Sequence, residues 1–150
     1  MTARRTLKTV SLALSIALGL VVQAKTSHAQ DLETLTVAGG CFWCVEADFE
    51  KVEGVKEAVS GFAGGTTVNP TYKQVTGGNT GHYEAVQIKF DPAKVEVETL
   101  LSLFFRSIDP TDAGGQFCDR GDSYRTAVFA TASQKSAAEQ AKAAAQAELG

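Results

Sequence analysis

Apolar stretches long enough to cross a bilayer are missing from this sequence. The longest uncharged apolar run, Val10 to Val22, covers thirteen residues, where a spanning helix needs about 20. Cysteine is scarce: the chain holds three, Cys41, Cys44 and Cys118. An odd number leaves at least one thiol unpaired or exchanging, which argues against a framework built purely from disulfides. Paired metal-ligand spacing is also absent, because one histidine, His82, and one further cysteine, Cys118, follow Cys41 and Cys44, and a structural zinc site is therefore not expected. Val45 stands where a c-type haem attachment would need histidine. Basic residues are few beyond position 29. Residues 1–29 hold four of them (Arg4, Arg5, Lys8, Lys25) and no acidic residue, so the remainder has ten basic against seventeen acidic residues. Its net charge is −7, against −3 for the whole chain. Such a balance excludes nucleic acid as the expected partner, since binding it takes clustered Lys and Arg. There is no internal repeat.

What is present begins with a three-part leader. Arg4, Arg5 and Lys8 precede the apolar run, and Ser27-His28-Ala29 ends in small residues before Gln30. This layout predicts a secretory signal peptide over residues 1–29 and an exported, periplasmic domain over residues 30–150. An uncleaved anchor formed by residues 10–22 is the alternative.

The domain itself alternates strand and helix patterns. Thr34–Ala38 reads as a strand closed by Gly39-Gly40. Phe42, Val45, Phe49 and Val52 fall on one face of a helix from 42 to 52, with Gly54 just past its end. Residues 55–61 read as a second strand. Residues 66–81 read as a long Gly- and Thr-rich loop with room for one helical turn. Tyr83–Phe90 alternates strictly, and its apolar face is the even-numbered one, which makes Glu84 an anomaly beside Val86 and Ile88. A helix is expected from about Val95 to Ile108, then a polar loop from Asp109 to Asp122. A last strand follows from Tyr124 to Ala130, and a final Ala-rich helix is N-capped by Ser133 and ends at Leu149. This order predicts an α+β fold, a ferredoxin-like split β-α-β arrangement with helices on one face of a largely antiparallel sheet.

The chemistry concentrates where the first strand meets the first helix, in Gly39-Gly40-Cys41-Phe42-Trp43-Cys44. Two glycines allow a sharp turn without bulk near the thiol. Cys41 then sits at a helix N-terminus, where unpaired N–H groups and the macrodipole favour the nucleophilic thiolate. On a helical wheel Cys41 lies at the edge of the apolar face, and Cys44 is turned further toward solvent. The plain alternative is a pair of small buried cysteines. A bare C-x-x-C also admits a thioredoxin-type disulfide exchanger.

The wording around that motif narrows the reading. GGCFWCVEADFEKVEGVKEAVSGFAGG, NPTYKQVTGGNTGHYEAV, Asp91-Pro92, IDPTD and QFCDRGDSYRTAVF together resemble the A-type peptide methionine sulfoxide reductases, in the family's order, over about residues 35 to 135. The resemblance implies thiol-dependent reduction of methionine S-sulfoxide, free or in proteins, with no bound cofactor; the sequence does not reveal the oligomeric state. A thioredoxin-like dithiol would supply the electrons. It implies that Cys41 attacks the sulfoxide sulfur and becomes a sulfenic acid as methionine leaves. Glu84 would protonate the sulfoxide oxygen, Tyr72 and Tyr124 would hydrogen-bond that oxygen, and Phe42 and Trp43 would wall the substrate methyl group. Asp119 would help order the site. Without the resemblance, Glu84 would equally read as an edge-strand charge with a basic neighbour, the tyrosines as half-buried strand residues, and Asp119 as a solvated loop charge.

Relative to that family the sequence is expected to lack the C-terminal part of the usual domain, where the recycling cysteine often lies. Cys44 and Cys118 remain as resolving candidates, and Cys44 is favoured for its nearness in sequence. Two other functions compete. A general thiol–disulfide oxidoreductase accounts for Cys41-x-x-Cys44 but gives Glu84, Tyr72 and Tyr124 no shared work. A non-enzymatic exported binding domain accounts for the charge and the leader but leaves Gly-Gly-Cys-Phe-Trp without a purpose.

Overall fold

A computed structural model describes residues 31–149. The leader expected over residues 1–29, and the anchor alternative within it, lie outside the described residues. Among the described residues no helix is long and apolar enough to cross a membrane.

The elements follow in the order β1 (Glu33–Ala38), α1 (Phe42–Phe49), β2 (Val55–Ala63), α2 (Tyr72–Thr76), β3 (Tyr83–Phe90), α3 (Val97–Ser107), β4 (Gly115–Gln116), β5 (Asp119–Arg120), a 3-10 turn (Asp122–Tyr124), β6 (Ala127–Val128) and α4 (Lys135–Leu149). The main sheet has the order β2-β3-β1-β6, and every neighbouring pair in it is antiparallel. β3 lies between β1 and β2, which is the split β-α-β arrangement the element order predicts. The period of two then decides which side chains meet. Leu35 and Val37 of β1, Ala58 of β2, and Val86, Ile88 and Phe90 of β3 form one core with Phe42, Val45 and Phe49 of α1 and Leu100, Leu101 and Phe104 of α3. The helices therefore cover one face, which leaves polar Gln87 and the Lys89–Glu57 ion pair (2.8 Å) on the other.

Several boundaries differ from expectation, each for a local reason. α1 stops at Phe49 rather than Val52. The Val52 N–H still donates to the Phe49 carbonyl at 3.0 Å, and Gly54, with φ +99°, turns the chain into β2 only after that extra turn. The strand expected from Tyr124 to Ala130 shrinks to Ala127–Val128. Gly121 (φ +124°) and the turn-forming Asp122-Ser123 fold Tyr124 into the 3-10 turn instead. The loop expected over 109–122 contains the β4–β5 hairpin. Ser133 does not cap the last helix: its hydroxyl meets Thr131 Oγ1 at 3.0 Å. Gln134 does the anchoring, accepting the Thr131 N–H at 3.2 Å and donating to the Thr34 carbonyl on β1 at 2.9 Å. The buried Ala137 and half-buried Ala138 and Ala141 then seat α4 against the core.

Candidate active site

β1 ends in two glycines because nothing larger fits. A Cβ on Gly39 would stand 2.7 Å from Ile108 Cγ2 and 2.8 Å from Phe104 Cε2, and one on Gly40 would stand 2.6 Å from Gln116 Cβ. Gly40 also has φ +88°, a conformation that an L side chain resists. The crowding partners are α3 and the β4–β5 hairpin, so the turn is pressed between them. It delivers Cys41 to the N-cap of α1, where the Cys41 carbonyl accepts the Cys44 and Val45 N–H groups at 3.0 and 3.3 Å. Cys41 is half-buried and Cys44 exposed, as the helical wheel requires.

Glu84 reaches this turn from the sheet. It lies on the apolar face of β3 and is 1 % exposed. β3 is an interior strand, which removes the edge-strand reading of this charge. Its Oε2 accepts the N–H of Phe42 at 3.2 Å, one of the donors that a helix start leaves open. Oε1 is buried without a hydrogen-bond partner among the described residues. Burial pushes the Glu84 carboxyl above its ordinary value; the Phe42 N–H and the Tyr124 hydroxyl oppose this, and the charge of Asp119 adds to it. Burial prevails, because stripping water from a carboxylate costs more than these two donors return.

The remaining expected residues gather around these two. Tyr124, in the 3-10 turn, and Tyr72, at the start of α2, interact through their hydroxyls. Burial, the Tyr72 hydroxyl and the Glu84 charge together hold the Tyr124 phenol far above its usual value, so it stays a donor. Neither tyrosine is a strand residue. Phe42 is buried, and its ring lies 5.2 Å from that of Trp43, 6.1 Å from Tyr72 and 5.8 Å from Phe62. Trp43, 62 % exposed, stacks on Tyr72 at 6.1 Å with 15° between planes. Asp119, on β5, raises the titration of Glu84, Tyr124 and Cys44 through its charge. Cys44 is held up chiefly by its hydrogen bond to the Cys41 sulfur, with burial and the Cys41 charge adding to it. Cys118 is exposed at the hairpin tip, beside Phe117 (φ +51°).

Three contributors escape sequence reasoning. Phe62 backs Phe42 and pairs across the sheet with Glu84; continuing the β2 alternation past Gly61 would have found it. The buried Gln116 accepts the Asp109 N–H at 2.8 Å and donates to the Asp109 carbonyl at 2.6 Å and to Thr126 Oγ1 at 3.1 Å. It braces the hairpin behind Gly40, a role no local pattern announces. His82 is the third. Two hollows of about 870 and 490 Å³ flank α4 and are lined by none of the expected site residues. The chemistry sits in an open aromatic bowl instead. Among the described residues, no three His, Cys, Asp or Glu side chains are grouped to hold a metal ion.

The chain as a whole has known relatives. A family model described as peptide methionine sulfoxide reductase matches residues 33–149. A peptide methionine sulfoxide reductase of Caulobacter vibrioides is 53% identical over 114 residues, which cover 76% of this chain and 58% of that protein. One from Listeria monocytogenes is 53% identical over 116 residues, covering 77% and 66%. The chain thus spans under two thirds of the length of these relatives. Methionine sulfoxide reductase A of Corynebacterium diphtheriae superposes with a TM-score of 0.71 at 34% identity, covering 77% of this chain and 55% of that one. Mxr1 of Saccharomyces cerevisiae in its reduced form gives 0.73 at 28%, covering 78% and 70%. With the family model extending over most of the chain and the α+β fold shared, the chain belongs to the peptide methionine sulfoxide reductase family, A type.

Proposed function

We propose that this chain reduces methionine S-sulfoxide, in proteins or free, at Cys41. The observation that carries the reading is the pairing of acid and thiol. A buried carboxyl held toward its protonated form is bonded to the backbone N–H of Phe42, next to the nucleophile. The Cys41 thiolate attacks the sulfoxide sulfur. Glu84 gives its proton to the oxygen, because oxide is a poor leaving group. Tyr72 and Tyr124 donate hydrogen bonds to that oxygen, and Phe42 and Trp43 receive the methyl group through sulfur–aromatic contact. Oxygen passes to Cys41 as a sulfenic acid, so the cysteine sulfur loses the two electrons that methionine gains.

Cys44 is the favoured resolving residue. Its thiol stays protonated while it donates to the Cys41 sulfur. Once Cys41 is a neutral sulfenic acid that restraint lifts. Attack by Cys44 then forms the disulfide and expels water, and an external thioredoxin-like dithiol restores both thiols. The general disulfide-exchange reading leaves Glu84 and the two tyrosines without work and is not favoured.

Dabsyl-methionine sulfoxide with dithiothreitol tests the proposal. The full chain is expected to consume the S epimer and Cys41→Ser to consume none; steady turnover by Cys41→Ser would falsify the assignment. We also propose export to the periplasm, on the strength of the leader-like residues 4–29. N-terminal sequencing of exported protein should begin at Gln30, and full-length chain in the membrane fraction would point to the anchor instead.

A further inference from the structure

His82 stands one residue before β3, and both of its ring nitrogens are committed. Nδ1 accepts the N–H of Gly65 at 3.2 Å, so the ring proton belongs to Nε2. Nε2 donates it to the Thr67 carbonyl at 2.9 Å. The imidazole lies so close over Gly65 that any Cβ there would overlap it. Two more bonds close the same junction: the Thr66 N–H donates to the Thr80 carbonyl at 3.1 Å, and the His82 N–H to Thr80 Oγ1 at 3.2 Å. Everything between these limbs is the segment that carries Tyr72.

That segment has few other restraints. Thr71 caps the five-residue α2, and Val75 is its buried anchor. A hollow of about 220 Å³, lined by Val75, Thr80, His82, Ser123 and Arg125, lies between the far end of this segment and the 3-10 turn, away from the meeting of Tyr72 with Tyr124. Packing on that side is therefore incomplete, and the position of Tyr72 over Trp43 and Phe42 depends on how the base of the loop is tied.

We propose that His82 is a positioning residue for sulfoxide reduction. By clamping Gly65 and Thr67 to the entry of β3 it holds the Tyr72 ring and hydroxyl over the Cys41 site. Its kinetic consequence rests on the functional reading above, whereas the clamp itself rests on geometry. No substrate atom touches the imidazole; the effect passes through Tyr72.

Three variants of the full chain test it. His82→Ala removes both bonds, His82→Asn keeps an acceptor near the Nδ1 position, and His82→Gln keeps an amide donor near the Nε2 position. Trp43 is the chain's one tryptophan, so its emission reports the stack with Tyr72 without any turnover. His82→Ala should shift that emission to the value seen in Tyr72→Ala. It should also lower kcat/KM for methionine sulfoxide on the order of tenfold, mainly through KM, the equivalent of about 1.4 kcal/mol. Asn and Gln should each recover part of both signals, and they carry the test if the alanine variant loses its far-UV signature. In a Tyr72→Ala background, removing His82 should cost nothing further. Unchanged Trp43 emission in all three variants, or losses from His82 and Tyr72 that simply add, would overturn the proposal. If the full chain turns over no sulfoxide, the functional reading falls while the emission series still decides the clamp.

Discussion

The two halves of the site are built in opposite ways. Glu84 is planted in an interior strand, with neighbours on both sides of the sheet and almost no exposure. Trp43, Tyr72, Cys44, Phe117 and Cys118 are all open to solvent, on helix starts, a loop helix and a hairpin tip. Phe117 is 68 % exposed on a left-handed backbone, and Tyr72 is 47 % exposed on a five-residue helix. The acid needs an environment that does not change, because its protonation depends on the water kept away from it. On the proposed function, the exposed half gives access to substrate and reductant. Rigid burial and open presentation meet at Cys41, half-buried between them.

The largest effect that tests this contrast comes from the buried half. Glu84→Gln keeps the shape and the acceptor for Phe42 but removes the acid, and turnover should fall about 10²–10⁴-fold with substrate binding retained. Stability should move the other way, with a definite sign. A carboxyl whose folded pKa is raised favours folding least when it is ionised, so the cost grows as pH rises from the unfolded value, about 4.3, through the raised folded value. The Gln variant should therefore melt above the parent at neutral pH and lose that advantage in acid, where both side chains are neutral. Equal melting at neutral pH would show that Glu84 is not desolvated as described.

An intermediate effect is expected from the exposed half. Cys44→Ser should still release one equivalent of methionine per chain, since Cys41 is untouched, but cycling driven by thioredoxin should slow by about tenfold or more. Cys118→Ser should cycle normally. The reverse pattern in single-turnover and steady-state assays would move the resolving role to the hairpin.

The smallest effect joins the halves. Asp119 raises the Glu84 titration through charge alone, as the weakest of its causes. Asp119→Asn should then lower it, shifting the basic limb of the kcat/KM profile toward acid with little change at the optimum. A limb that stays in place would mean that solvent screens Asp119 from the acid.

How much of this was legible in the sequence follows the same division. Tyr83–Phe90 could be read to the residue, because strict alternation has one solution against a one-sided core, and the odd placing of Glu84 came with it. The Gly-Gly-Cys turn was legible from backbone chemistry. The gathering of Tyr72 and Tyr124 at the site was not, since neither sits in a periodic element; only the family resemblance pointed to them. The short β6 and the bracing by Gln116 and His82 depend on partners 7 to 17 residues or more away, and local patterns carry no information about such meetings. Ser133 shows the converse: a residue of the right type spends its hydroxyl on Thr131, and the helix is anchored by Gln134, whose grip on β1 spans 100 residues.

The bond from the Phe42 N–H to Glu84 has a consequence for heredity. Its donor belongs to the main chain, so every amino acid that could replace Phe42, apart from proline, would still supply it. Proline is also the residue a helix accepts most readily at its first position, so it alone could delete the bond without breaking the helix. A substitution at this position other than proline would reshape the aromatic wall while leaving the bond that ties Glu84 to the start of α1 in place.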